Sequence, residues 1–194
     1  MGSDRKQIIL KEAIATTAEL GFKRTNARSI AERLEIQPSN IFYYFKTEPE
    51  LIKAMLQQIV LTNSVVVSEV LAKQKPSSSR EKLVCYIAGN LEWSLRNPDH
   101  VSVLLFGICE GQSDPSLLSL ITNALSAGEE KVYHMITAGI AEGEFHLKGK
   151  LKPREVAKAI HQTIIGHTVR SITEKPSKSL YLKRIEAVLE QFIS

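Results

Sequence analysis

Apolar and polar residues recur along this chain with the period of the α-helix almost from end to end. Leu10, Ala13, Ile14, Thr17 and Ala18 share one face of a helix over 5–20, which Gly21 is placed to end. Ala27, Ile30, Ala31 and Leu34 fall at i, i+3, i+4 and i+7, an apolar stripe for a short second helix. Ile41 and Phe45, four apart, predict a third helix packed against that stripe. A long helix follows from about 48 to 73, closed by the linker Lys73-Gln74-Lys75-Pro76-Ser77-Ser78-Ser79. Further helices are expected over 80–96, 98–110 and 115–142. After a basic loop from Lys148 to Pro153 come two more, over 153–174 and 177–193, split at Lys175-Pro176. No run reads as a strand and no internal repeat is visible, so the fold class is all-α.

The second and third helices are short and sharply signalled. Thr25 or Asn26 can cap the second, accepting from the unpaired N–H groups of its first turn. Pro38 suits the first turn of the third, where a missing N–H costs nothing. Thr47-Glu48-Pro49-Glu50 is a further helix start, with a hydroxyl cap and an acid at the third helical position. The outward positions of the third helix (Ser39, Asn40, Tyr43, Tyr44, then Lys46) are hydrogen-bonding groups rather than simple solvating charges. A helix that lies in the major groove of DNA needs that composition, with polar tips on base edges and flanks on phosphates.

Charge refines this picture only slightly. The 194 residues hold 25 Lys+Arg against 21 Asp+Glu, a net charge of +4, and 43% are hydrophobic, ample for a packed core. Residues 1–53 hold nine basic and seven acidic side chains, so half of the excess lies in that stretch. Lys23, Arg24, Arg28 and Arg33 cluster there with one intervening acid, Glu32. Cys85 and Cys109 show no paired spacing and are expected to be two buried thiols of a reducing compartment. The N-terminus has no apolar core like that of a signal peptide, and no apolar run near the ~18 residues of a membrane span is expected. A cytoplasmic protein follows as the expectation.

The stretch from Gly21-Phe22 through Thr25, Arg28, Ile30-Ala31 and Ile41-Phe42-Tyr43-Tyr44-Phe45 to Glu50-Leu51 resembles the DNA-binding domain of the tetracycline-repressor-like (TetR) transcriptional regulators. The resemblance implies a three-helix helix-turn-helix domain over 1–47, joined to a helical bundle over 48–194 for effector binding and dimerisation. It implies base contacts from Gln37, Ser39, Asn40 and Tyr43, and phosphate contacts from Thr25, Asn26, Arg28, Tyr44, Lys46 and Thr47. This chain departs from the family at four places. Glu35 occupies the inter-helix turn, where glycine is usual, and Ser39 also stands where glycine is frequent. Phe42 replaces a tyrosine that often bonds a phosphate. Glu48 stands where a phosphate-contacting lysine is common.

The family also implies a mechanism. A long helix of about 26 residues spans about 39 Å. Movement of its far end on effector binding would change the separation of two reading heads in a dimer and spoil docking on half-sites about 34 Å apart. Small and branched residues on the last two helices either pack as the chain's own core or, as the resemblance favours, build that dimer as a four-helix interface, through Ile160, Ile164, Thr168, Ile185, Val188, Leu189 and Phe192. An effector pocket is expected among Tyr86, Trp93, Phe106, Cys109, Tyr133, His161 and His167, and its apolar bias suggests a lipophilic or aromatic compound.

Enzymatic chemistry finds no foothold. The histidines at 100, 134, 146, 161 and 167 lack the i, i+3 or i, i+4 spacing of helical metal ligands. GxSxG, Walker and GxGxxG motifs are absent from the sequence. No metal, cofactor or catalytic set is expected. The sequence therefore predicts a homodimeric DNA-binding repressor released by a small apolar effector. The alternative is an all-helical module that keeps the helix pair as packing only and binds a protein or a lipophile.

Overall fold

The computed structural model describes residues 2–174 and 177–194. Among these residues the chain forms nine α-helices: α1 (Gly2–Leu20), α2 (Ala27–Arg33), α3 (Pro38–Tyr44), α4 (Glu48–Gln74), α5 (Ser79–Arg96), α6 (Pro98–Gly111), α7 (Pro115–Ala141), α8 (Pro153–Arg170) and α9 (Lys178–Phe192). A short 3-10 turn, Phe22–Arg24, links α1 to α2. The described residues form no strand. An isolated antiparallel bridge pairs Leu147 with Ile193 and ties the C-terminal end to the loop after α7. The expected split at Lys175-Pro176 lies outside the described residues.

The boundaries have local chemical causes. α7 stops at Ala141 because Gly143 takes φ +75°, so that the Gly143 N–H reaches Ile140 O and the Glu144 N–H reaches Gly139 O. These two bonds satisfy carbonyls that the helix end would otherwise leave open. α8 stops at Arg170, four residues short of the expected end. There Ser171 Oγ bonds Thr168 O and Thr173 Oγ1 bonds Arg170 O, so hydroxyls compete for the helix carbonyls.

The chain forms two compact units. The first comprises Met1–Leu61 and Asn97–Thr122. In it α1 packs on α2 and α6, and α2 packs on α3. The second comprises Thr62–Arg96 and Asn123–Ser194, so α4 and α7 each contribute to both. Its core gathers Val67, Leu83, Tyr86, Ile87, Val132, Ile136, Phe145, Ile160, Ile164, Tyr181, Ile185 and Leu189. A Cβ on Gly89 of α5 would stand 2.9 Å from the Val67 Cα, so only glycine admits this approach of α5 to α4. The start of α5 is fixed by acids after α7: Ser79 donates its N–H to Glu144 and its hydroxyl to Glu142, at 2.7 and 2.6 Å.

Two expectations are revised here. α4 is long and apolar enough to cross a membrane, with an 18-residue window of mean hydropathy 1.4. Leu51, Met55, Ile59, Val66, Val67 and Val70 are buried and Asn63 donates a hydrogen bond to Asn90, but only 33% of that window is buried and Val60, Leu61 and Val65 stand exposed, so packing accounts for part of the composition. Cys85 and Cys109 are both thiols, but Cys109 is exposed and Cys85 half-buried.

Candidate DNA-binding surface

Asn26, rather than Thr25, caps α2. Its Oδ1 accepts from the N–H groups of Arg28 and Ser29, both at 3.0 Å, while Ser29 Oγ accepts from Asn26 N–H at 3.0 Å. This reciprocal box satisfies three donors and fixes where the chain enters the helix. Thr25 is committed elsewhere. Its hydroxyl donates to Gly21 O at 2.9 Å and its N–H to Phe22 O, so it serves the 3-10 turn. Ala27, Ile30 and Ala31 are buried, and Leu34 is half-buried at the rim of the stripe.

α2 ends in a two-bond cap that usually requires glycine. The Glu35 N–H reaches Glu32 O at 3.2 Å and the Ile36 N–H reaches Ala31 O at 3.0 Å. Glu35 sits at φ +54°, in the left-handed region. The side chain makes that conformation costly by about 1 kcal/mol. The sharp turn expected here is therefore made, with local strain in place of glycine.

α3 presents two unlike faces. Ile41 and Phe45 are each 1% exposed. On the outward side Gln37, Ser39, Asn40 and Tyr43 are all exposed, Tyr43 at 72%, and Phe42 joins them at 43%. Tyr44 is half-buried and packs edge-on against Tyr43, with ring centroids 5.0 Å apart. Two of the polar groups are free of the apolar core yet held in place. Lys46 Nζ bonds Tyr43 O at 3.3 Å and lies 5.8 Å from the Tyr43 ring. The Lys46 N–H donates to Glu50, and the Glu50 N–H donates to the Thr47 hydroxyl, which opens α4. Arg28 and Thr47 are exposed, and Arg28 makes a surface pair with Glu32 at 3.4 Å.

The basic cluster is smaller than the sequence suggests. Arg33 Nε bonds Glu12 at 2.6 Å and its Nη1 bonds Glu19 at 2.7 Å. The hydrogen bonds it donates to Glu19 and Glu12 push its pKa upward and make it a brace between α2 and α1. Arg24 Nε likewise bonds Leu20 O. The structure thus brings Gln37, Ser39, Asn40, Tyr43, Arg28, Lys46 and Thr47 onto exposed positions of neighbouring segments. It holds Thr25 and Asn26 half-buried in local bonds.

The residues expected to line an effector pocket are divided between the units. Tyr86, Trp93 and His161 are buried in the second unit, with Tyr133 and His167 half-buried beside them. Phe106, half-buried, and Cys109, exposed, belong to the first. The second unit has clefts of about 390 and 480 Å³, lined by other residues, including Val70, Leu91, Leu95 and Tyr181 in one and Leu71, Met135 and Ala138 in the other. His161 fills space against Gly128 instead, where a Cβ would meet its Nε2 at 2.5 Å. His167 packs edge-on to Tyr181 at 4.9 Å. Among the described residues no cluster of His, Cys, Asp or Glu could hold a metal.

The expected dimer face is also partly spent. Ile160, Ile164, Ile185 and Leu189 are buried in the core of their own chain. A buried side chain has no surface left for a partner. Thr168, Val188 and Phe192 are half-buried, and Val169, Ile172 and Leu180 are exposed apolar residues of the same region that the periodicity did not single out.

Residues 9–55 match the family of bacterial regulatory proteins, tetR family. The HTH-type transcriptional regulator RutR of Escherichia coli strain K12 is 25% identical over 142 residues, 73% of this chain and 65% of that protein. The match therefore spans slightly less than two thirds of the relative's length. A TetR transcription regulator from Haloarcula marismortui superposes with a TM-score of 0.81 at 16% identity, over 99% of this chain and 100% of that one. The ketosteroid transcriptional regulator KstR2 of Mycobacterium tuberculosis superposes with a TM-score of 0.71 at 18% identity, over 98% and 95%. At these identities the superpositions establish the fold.

Proposed function

We propose that this chain, whose residues 9–55 match the tetR family of bacterial regulatory proteins, is a cytoplasmic, homodimeric DNA-binding regulator that represses transcription until a small, mainly apolar effector releases it. The observation that carries the proposal is the split character of α3. Ile41 and Phe45 are withdrawn from solvent while Gln37, Ser39, Asn40 and Tyr43 stand exposed together. Helix packing alone gives no reason to keep an aromatic phenol 72% exposed. A groove-reading helix does give one, since each well-placed base contact discriminates by about 1–3 kcal/mol. The exposure of Tyr43, Lys46 and Arg28 favours this reading over a module that keeps the helix pair as packing only.

In this proposal Ser39, Asn40, Gln37 and Tyr43 read base edges. Arg28, Tyr44, Lys46 and Thr47 set the register on phosphates, with Asn26 contributing its uncommitted Nδ2. One short helix reads few base pairs, so two linked heads are needed for useful affinity. The partner contact uses Thr168, Val188 and Phe192 together with Val169 and Leu180. The effector binds in the second unit. In this reading the DNA contacts lie within residues 1–47, and effector binding and pairing fall to the second unit.

Titration of labelled duplexes tests this, beginning with the DNA flanking its own gene. Arg28→Ala is expected to weaken binding to all sequences and to reduce the slope of log K against log salt by about 1. Arg33→Ala, whose guanidinium is engaged by Glu12 and Glu19, is expected to leave that slope unchanged. Equal effects of the two substitutions would contradict the assignment. No binding at low salt by a confirmed dimer would contradict the proposal itself.

A further inference from the structure

We propose that Glu110, on α6, is a positioning residue for DNA binding: its carboxylate holds the turn that aims the phosphate-contacting start of α2. The inference rests on the DNA-binding reading above. Glu110 and the turn it meets both lie in the first unit. The Phe22 N–H donates to Glu110 Oε1 at 3.2 Å, across 88 residues of sequence. The same oxygen would lie 3.1 Å from a Cβ on Gly21, which sits at φ +78° and ψ 166°. Glycine at 21 therefore serves two needs: it adopts the backbone that ends α1, and it leaves room for the carboxylate.

The bond reaches the binding surface through a short chain of contacts. Phe22 O accepts the Thr25 N–H at 3.1 Å, and Gly21 O accepts the Thr25 hydroxyl at 2.9 Å. Asn26, the next residue, caps α2 and orients Arg28 and Ser29. Glu110 thus fixes one end of a rigid five-residue turn whose other end presents the Asn26 amide and the first turn of α2. Packing supports the hold. Gly107, one turn earlier on α6, would place a Cβ 2.8 Å from Ile121 and 3.7 Å from the Phe22 ring, so α6 lies close against the turn. An ionised acceptor makes a stronger bond to a backbone N–H than a neutral one. That suits an anchor in a segment that must resist displacement when phosphates draw near.

The test uses the full-length protein and a duplex that the wild-type protein has enriched from a random pool. Glu110→Ala is expected to weaken binding of that duplex at least tenfold, to lower the salt slope by about 1, and to speed hydrogen exchange at the Phe22 amide. Glu110→Gln, whose carbonyl can still accept the bond, is expected to restore binding to within about threefold of the wild type. A merely structural role would lower the melting temperature of both variants without changing the slope at temperatures where they are folded. Unchanged affinity and slope for Glu110→Ala, with wild-type binding intact, would overturn the inference. Failure of the wild-type protein to enrich any duplex would instead overturn the DNA-binding reading on which it rests.

Discussion

The two units treat polar side chains differently. In the first, polar residues around α2 and α3 are committed to specific bonds at the exposed surface: Asn26 and Ser29 cap α2, Thr25 closes a turn, Thr47 and Glu50 open α4, and Arg33 braces α2 on α1. In the second, a large apolar core of branched and aromatic residues dominates. A surface that must meet fixed phosphates and base edges needs each donor at one position. A core needs only the right volume and pattern, and many residue sets supply that.

The contrast is broken most directly by substituting one residue from each unit. Leu83 is fully buried in the second core, and Leu83→Ala is expected to lower the unfolding free energy by about 3 kcal/mol. Below its melting temperature this variant should bind DNA like the wild type. Tyr43→Ala is expected to do the reverse, changing stability by less than about 0.5 kcal/mol while erasing about 1–3 kcal/mol of discrimination between the preferred and a scrambled duplex. Denaturant titration and competitive anisotropy together check both. A Tyr43→Ala protein that keeps its sequence preference would remove the distinction between the units.

Finer changes sharpen it. Asn26→Ala should cost about 1 kcal/mol of stability through loss of the cap, and it should weaken DNA binding as the start of α2 frays. Glu35→Gly should do the opposite and raise stability by roughly 0.5–1 kcal/mol, since glycine carries no Cβ at φ +54°. Chemical denaturation of each variant measures the sign.

The smallest effect concerns pH. Burial lowers the pKa of His161 and of His100, opposed in part by Glu129 and Asp99 respectively. Burial lowers that of His167 too, helped by Arg184 and Arg170. A histidine whose folded pKa lies below its unfolded value near 6.5 contributes stability that is fully present above pH ~6.5. That stability is lost as pH falls below this value. Melting temperature should therefore decline between pH 7.5 and 5.5, and His161→Gln should flatten the decline. A pH-independent difference between His161→Gln and the wild type would contradict this.

What the sequence disclosed follows the same division. Period and punctuation located every helix to within a few residues. They failed at the end of α8, where Ser171 and Thr173 capture helix carbonyls and no glycine or proline marks the stop. The turn at Glu35 lacks the usual glycine, a departure visible in the sequence, yet its backbone still takes the positive φ that glycine would supply. By sequence Arg33 reads as one of the surface cations, because its partners, Glu12 and Glu19, lie 21 and 14 residues away on another helix. A spacing of seven between those two acids on α1 was the one available hint. Ile160, Ile164, Ile185 and Leu189 could not be sorted between core and partner contact, because an apolar stripe has the same pattern in both settings. Chemical type alone points to the expected pocket residues, and type does not determine which cavity a side chain borders. The role of Glu110 is not legible in the sequence: a carboxylate that accepts from a backbone N–H 88 residues away leaves no periodic trace.

Sequencing of duplexes enriched from a random pool by the wild-type protein tests the central claim most directly. The account predicts an inverted repeat whose two halves match the paired α3 helices, with enrichment lost when Tyr43 is replaced by alanine. Enrichment of no sequence by a protein shown to be dimeric, or the same enrichment by Tyr43→Ala, would contradict it.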